Sequence, residues 1–302
     1  MWKQKIYSHQ DEFKNQQLVK KVIEHPNIKE MFETQAWYYN EFVGDDWDYY
    51  MFNVTDEILL EYIKWKNKGD LYFLDKLQHM IIQPKMVEWF AWSRSVWKVA
   101  EEKWIDVFSI DWKKYDGINL DIDIEYLTIN HVPFVPDIVW GSFDCTTYSI
   151  ASCSTHRENS ITPKTDYAKK CDWVNQNFIK CLNDWLEINP DMEFFLENPV
   201  GMLKKMPFMQ GFTMHTVWYC QYGDTIAKPT NIWTNSKTWV PRPVCKNHTY
   251  DKAWNKTSTH CDHQSARRWS KTWTQWKKWS YERSRIPKEL CEEIIQNYLD
   301  NR

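Results

Sequence analysis

Between residues 85 and 235, short apolar runs alternate with stretches of helical period, and that alternation leaves few folds open to the chain. MVEWFAW, IDVFSIDW, PDIVWGS, MEFFLENP and HTVWYCQY have the length and the β-branched and aromatic content of buried strands. Between them, SVWKVAEEK and KTDYAKKCDWVNQNFIKCLNDWLEIN carry apolar residues at helical spacing. This order predicts an α/β protein, a doubly wound parallel sheet with helices on both faces. Ligands in such sheets bind beyond the carboxyl ends of the strands, so chemistry is sought at those ends.

The flanking segments differ in character. Residues 1–80 read as a helical N-terminal extension, with 14 acidic and 10 basic residues and no recognisable chemistry. Residues 85–235 form the catalytic unit. Residues 236–280 read as a small, loop-rich basic module. From 236 to 288 there are 13 Lys and Arg against Asp251, Asp262 and Glu282. Interleaved Trp, Thr, Ser and Asn make this a phosphate-contacting surface for nucleic acid, or else a solvated basic face. Residues 281–302 give a C-terminal amphipathic helix, with Pro287 near its first turn, that returns to the catalytic unit. The formal charge of −3 excludes a globally basic binder. No run approaches the ~18 apolar residues of a membrane span, and MWKQKIYSHQDEF lacks the apolar core of a secretory signal. Eight scattered cysteines form no dense disulfide framework, which points to a reduced, intracellular protein. Cys245, His260, Cys261 and His263 match no zinc spacing, and no metal is expected.

Three strand ends carry candidate chemistry. In PDIVWGSFDCTTYSIAS a Gly-Ser turn delivers Cys145 just past a strand, a position suited to a nucleophile. A helix starting soon afterwards would lower its pKa, whereas Asp144 beside it would raise it; a buried structural cysteine is the alternative. In MEFFLENP, Glu197 and Asn198 follow an apolar run and precede Pro199. Glu197 suits acid-base work or hydrogen bonding to a polar ring, or is a loop cap. In MVEWFAWSRSVWKVAEE a strand turns into a helix, where a cofactor's charged tail sits in doubly wound folds. The next strand ends in Asp111, the place of a ribose-binding acid.

Over residues 86–292 this order resembles the S-adenosylmethionine-dependent DNA (cytosine-5) methyltransferases, most closely their compact phage and bacterial-genome members. VEWFAWSRSVWKVAEE resembles the family's Phe-Ala-Gly cofactor turn, SFDC its Pro-Pro-Cys loop and LENP its Glu-Asn-Val motif. TVWYCQYGDTIAKPTNIWTN and YERSRIPKELCEEI are similar to later segments. The resemblance implies a Rossmann-like methyltransferase sheet and S-adenosyl-L-methionine as cofactor. Cys145 would be the nucleophile and Glu197 would hold the base. Phe90, Ala91, Trp92 and Asp111 would contact the cofactor, with Asp123 near its adenine. Asn198, Pro199 and Gln221 would meet the substrate. It also implies double-stranded DNA as partner, no membrane, a monomer, and the cytoplasm of a bacterium or phage-infected cell. Phe143 and Asp144 depart from Pro-Pro, and no Gln-x-Arg-x-Arg triplet is present beyond Gln221. Two rivals follow: a methyltransferase acting on an exocyclic amine of adenine or cytosine, and a catalytically impaired DNA-binding protein of the same fold.

Composition bears on the cofactor turn. The chain has 7 Gly and 20 Trp, where average usage gives roughly 21 Gly. Trp92 and Trp97 stand where the family has Gly, Trp104 where a helix ends in Gly, and Trp269, Trp273, Trp276 and Trp279 in a segment that is Gly-rich in the relatives. Some lineages read TGA as glycine and others as tryptophan, so many of these residues are expected to be Gly in the living cell.

Overall fold

The computed structural model describes residues 84–245 and 280–302. The N-terminal extension and most of the basic module, with Trp269, Trp273, Trp276, Trp279, His260, Cys261 and His263, lie outside the described residues. By its contacts the chain divides into Lys85–Ile129 with Pro136–Arg302, the α/β unit, and Met1–Pro84 with Asn130–Val135.

The α/β unit is built on a seven-stranded sheet. Its strands are β1 (Lys85–Trp89), β2 (Asp106–Asp111), β3 (Leu120–Asp121), β4 (Ile138–Ser142), β7 (Glu193–Pro199), β8 (Thr213–Trp218) and β9 (Pro229–Thr234). The order across the sheet is β3-β2-β1-β4-β7-β9-β8. A separate hairpin pairs β5 (Arg157–Glu158) with β6 (Thr162–Pro163). The helices are α1 (Ser95–Glu102), α2 (Cys153–His156), α3 (Asp166–Ile188), α4 (Ser280–Ser284) and α5 (Lys288–Asn301). This is the expected doubly wound, Rossmann-like class. One expectation needs correcting: the sheet is not wholly parallel. β9 runs antiparallel to both of its neighbours, β7 and β8. Its run PTNIWT sits among polar residues and shows no alternation to mark it.

Strand alternation sends successive side chains to opposite faces. Met86, Trp140, Phe195 and Ile232 join one core with Val96, Val99 and Ala100 of α1 and Leu290, Cys291, Ile294 and Ile295 of α5. On the other face Trp89 meets Phe178 and Trp185 of α3 edge-on, at 4.4 and 5.7 Å between ring centroids. Gly141 belongs to that face, and a Cβ there would come within 2.8 Å of the Phe178 ring. Thr165 caps α3 by accepting from the Ala168 amide at 3.2 Å. From β1 the chain crosses through α1 to β2, and from β4 through α3 to β7, in opposite directions along the sheet. The order therefore reverses between β1 and β4, and the crevice beyond their carboxyl ends is the switch point where such folds bind ligands.

Helix α1 ends in a full Schellman motif. The Ile105 amide donates to the Ala100 carbonyl and the Trp104 amide to the Glu101 carbonyl, both at 3.0 Å. Trp104 takes the left-handed position, φ 60, with its indole 78% exposed. A side chain in that conformation is destabilising by ~1–2 kcal/mol, and glycine avoids this. Trp92 and Trp97 are absent from the left-handed residues of the chain. Trp97 instead packs against the α1–α5 core, with the Arg94 guanidinium 3.4 Å above its ring. Trp104→Gly is expected to raise stability by about 1 kcal/mol and Tm by roughly 3 °C, as read by thermal unfolding. A lower Tm would contradict this account of the turn.

Candidate active site

The carboxyl ends of β4 and β7 are paired in register, Ile138 with Glu193 through to Ser142 with Glu197. Cys145 lies three residues beyond Ser142. The two candidate chemical groups therefore leave adjacent parallel strands at the same level. A second tie closes the loop onto the strand: Asn198 Nδ2 donates to the Phe143 carbonyl at 2.9 Å, with Asn198 itself buried. Pro199 ends β7 opposite Thr230 of β9.

Glu197 is buried and accepts a 2.9 Å hydrogen bond from the Tyr219 hydroxyl. The Lys228 ammonium stands 3.8 Å from the same carboxylate oxygen. Tyr219 and Lys228 carry no signal in the sequence that singles them out. They arrive on the segments flanking β9, the strand that sequence reading missed. Gln221 lies in the one-turn 3-10 helix that contains Tyr219, and its carbonyl accepts from Arg242 at 2.7 Å. The member of this turn that reaches Glu197 is Tyr219.

Cys145 is half-buried and carries a free thiol. Burial pushes its pKa up to about 11, with the negative charges of Glu197 and Asp144 adding to the shift and Lys228 opposing it. The helix expected to lower it is absent: α2 begins at Cys153 and has only one turn. The loop between is held by other means. Asp144 accepts from the Thr146 amide at 2.8 Å and from the Tyr167 hydroxyl of α3. Arg157 is buried and forms paired bonds to Asp172 of α3, at 3.0 and 2.6 Å. The same guanidinium donates to the Thr147 carbonyl and hydroxyl, and Asp172 also accepts from the Tyr148 hydroxyl at 2.7 Å. The Met202 amide donates to the Tyr148 carbonyl at 2.7 Å, an approach that a Cβ at Gly201 would block at 2.4 Å. The sequence reading singled out none of Arg157, Asp172 and Asn175.

At the end of β1 the chain bends through Phe90, φ 57, and Arg94, φ 48, before α1 begins. The Phe90 ring meets Phe143 at 5.9 Å, so the β1 and β4 turns touch. The Ala91 amide donates to the Ile110 carbonyl at 3.2 Å. Glu88, a charged residue inside an apolar run, accepts the Trp97 amide at 3.2 Å in the first turn of α1. Its burial raises its pKa to about 8. Asp111 closes β2, nearly fully buried, and burial raises its pKa to about 6. Asp123 caps a 3-10 turn and is paired with Lys170 at 2.6 Å. Lys170 holds its carboxyl below the usual range.

The rim of this crevice suits a cofactor with a charged amino-acid end and a ribose. Asp111 stands at the end of β2, and the buried Arg94 Nε has no partner among the described residues. The middle of the turn does not suit it. Trp92 stacks on Tyr115 at 5.9 Å and meets Tyr281 at 5.8 Å, so an indole fills the middle of the turn.

No protein-family model matches the chain, and no curated protein matches it. Among solved structures it is similar to the Entamoeba histolytica methyltransferase EhMeth, at 11% identity and TM-score 0.39, over 53% of this chain and 57% of that one. It is similar also to the S. pombe Dnmt2 methyltransferase, at 10% identity and TM-score 0.36, over 53% and 52%. The chain thus spans about half the length of each.

With a pKa near 11, about one Cys145 thiol in a thousand is ionised at pH 8. Alkylation of Cys145, followed by peptide mass spectrometry, is expected to quicken about tenfold per pH unit and to level only near pH 11. Asp144→Asn removes a like charge and should speed it roughly three- to tenfold at pH 8. An unchanged rate would mean that the Asp144 charge does not reach the thiol.

Proposed function

We propose that the protein is a DNA cytosine-5 methyltransferase that works through a covalent Cys145 adduct. The observation that supports this most is the register of β4 and β7, which sets a thiol loop and a buried carboxylate side by side next to the switch point between β1 and β4. Cytosine C5 is a weak nucleophile, and addition of a thiolate to C6 activates it. In this reading Cys145 loses its proton and its sulfur bonds to C6 of a cytosine turned out of the duplex. Glu197, oriented by Tyr219, hydrogen-bonds the ring N3 and exocyclic amine as charge develops. S-adenosylmethionine, when bound, would supply the methyl group to C5 and leave as S-adenosylhomocysteine. Loss of the C5 proton to water and expulsion of the Cys145 thiolate then free the product. Phe90, Ala91, Trp92, Asp111 and Asp123 would line the cofactor crevice, and Asn198 and Pro199 would shape the base pocket. The Lys- and Arg-rich residues from 246 to 279, outside the described residues, would contact DNA phosphates.

The test is trapping. DNA carrying 5-fluorocytosine cannot lose the C5 substituent, so the enzyme should remain attached as a band stable to denaturation, and Cys145→Ser should abolish it. An adduct that survives Cys145→Ser sinks the reading of this residue. An amino-methyltransferase would form no adduct at all.

Trp92 favours a second reading, a DNA-binding protein of this fold impaired in cofactor binding. Overfilling a packed site is destabilising by ~1–3 kcal/mol, equal to about 5- to 150-fold in affinity. Trp92→Gly is therefore expected to tighten S-adenosylmethionine binding by that factor in calorimetry. Equal affinity in the two proteins would show that the indole lies clear of the ligand.

A further inference from the structure

Lys228 is held in an unusual way. Its backbone sits at φ 24, in the left-handed region. Its side chain is only 20% exposed. Among the described residues the ammonium makes one hydrogen bond, to the Arg283 carbonyl at 3.0 Å, and lies 4.5 Å from the centre of the Tyr219 ring. Its distance to Glu197 Oε1, 3.8 Å, is longer than the ~2.7–2.9 Å of a closed charge-assisted bond. An ammonium has three protons to donate, and burying one incompletely bonded is unfavourable. This one is left open toward the site, where the groups acting on the Cys145 thiol are Glu197 on β7, Asp144 on its own loop and Lys228 before β9. Two of these three charges are negative, and the positive charge of Lys228 opposes them.

We propose that Lys228 is a third working group of this site, an ammonium in electrostatic reach of both Glu197 and Cys145 that makes the Cys145 thiolate accessible. The inference rests on the reading of Cys145 as nucleophile. The thiol proton leaves to solvent and the sulfur keeps the electron pair that attacks.

The experiment is peptide-resolved alkylation of Cys145 by iodoacetamide on the full chain between pH 7 and 10, in which a carbon–sulfur bond forms and iodide leaves. Lys228→Met should slow it roughly tenfold at pH 8, one unit of thiol pKa, and Lys228→Arg should stay within about twofold of the parent. Lys180→Met, which removes an exposed cation paired with Asp184, should change nothing. Cys291, buried in the α1–α5 core, reports unfolding: if it becomes alkylated in Lys228→Met, the neutral Lys228→Gln takes its place. The proposal is overturned if the neutral variants react as fast as the parent, or if Lys228→Arg is as slow as Lys228→Met. Failure of the methyltransferase reading looks different. The parent would then trap no 5-fluorocytosine DNA while Cys145 reactivity still followed Lys228. Trapping with alkylation indifferent to residue 228 would sink the Lys228 inference alone.

Discussion

The pairing of β4 with β7 carries the rest of the structure. Five backbone registers, ending at Ser142 and Glu197, set the loop after β4 beside the end of β7, next to the switch point. A slip of one residue would turn Glu197 to the opposite face and take Asn198 away from the Phe143 carbonyl. The pairing is guarded from both faces: Trp140 and Phe195 stack at 6.2 Å on one, and Gly141 lets Phe178 approach on the other. A parallel pair with so little tolerance gives the loop after β4 a fixed point of departure.

The loop needs a second constraint, because it lacks a helix to stiffen it. The Arg157–Asp172 pair provides one. Its guanidinium is wholly enclosed, and a buried ion pair is worth little unless its remaining donors are satisfied. Here they are: Thr147, Ile161 and Asp172 take the guanidinium protons, while Tyr148 and Asn175 complete the network. The Tyr148 ring also lies 4.2 Å beneath the guanidinium. The network fixes the loop at residues 147, 148 and 157, while Asp144, bonded to the Thr146 amide and the Tyr167 hydroxyl, holds the span around Cys145. Removing either charge would leave the other buried and unpaired, so the network holds as a unit.

Much of this was legible in the sequence. Buried strands read as continuous apolar runs whatever their neighbours, so β1, β2, β4 and β7 were recognisable, and with them the positions of Cys145, Glu197 and Asp111 at strand ends. The region after residue 213 was less so. β9 has one face toward polar partners, as in Asn231 opposite Thr216, and no local pattern announces that a strand runs backwards. Tyr219 and Lys228 depend on that reversal: each is ordinary in its own segment, and only the antiparallel return brings both to Glu197. Arg157 was hidden for a related reason, since a buried arginine is defined by a partner fifteen residues away on α3.

The scarcity of glycine separates two demands that composition alone merges. At position 104 the demand is conformational: the Schellman bonds fix a left-handed residue, and the indole projects into solvent without a packing role. At position 92 the demand is for space, because the backbone is free of left-handed strain and the indole has found Tyr115 and Tyr281 to stack on. At position 97 the structure shows neither. A third symptom appears in the core, where Trp89 Nε1 and Trp185 Nε1 are buried with no hydrogen-bond partner among the described residues. An unbonded indole N–H is unfavourable by ~1–3 kcal/mol, but these two rings also fill the layer between sheet and α3, which glycine would leave void. Replacement of every tryptophan by glycine would therefore empty the core that aligns β1 with α3. The backbone asks for glycine at 104, an indole fills the turn after β1 at 92, and the core keeps its indoles.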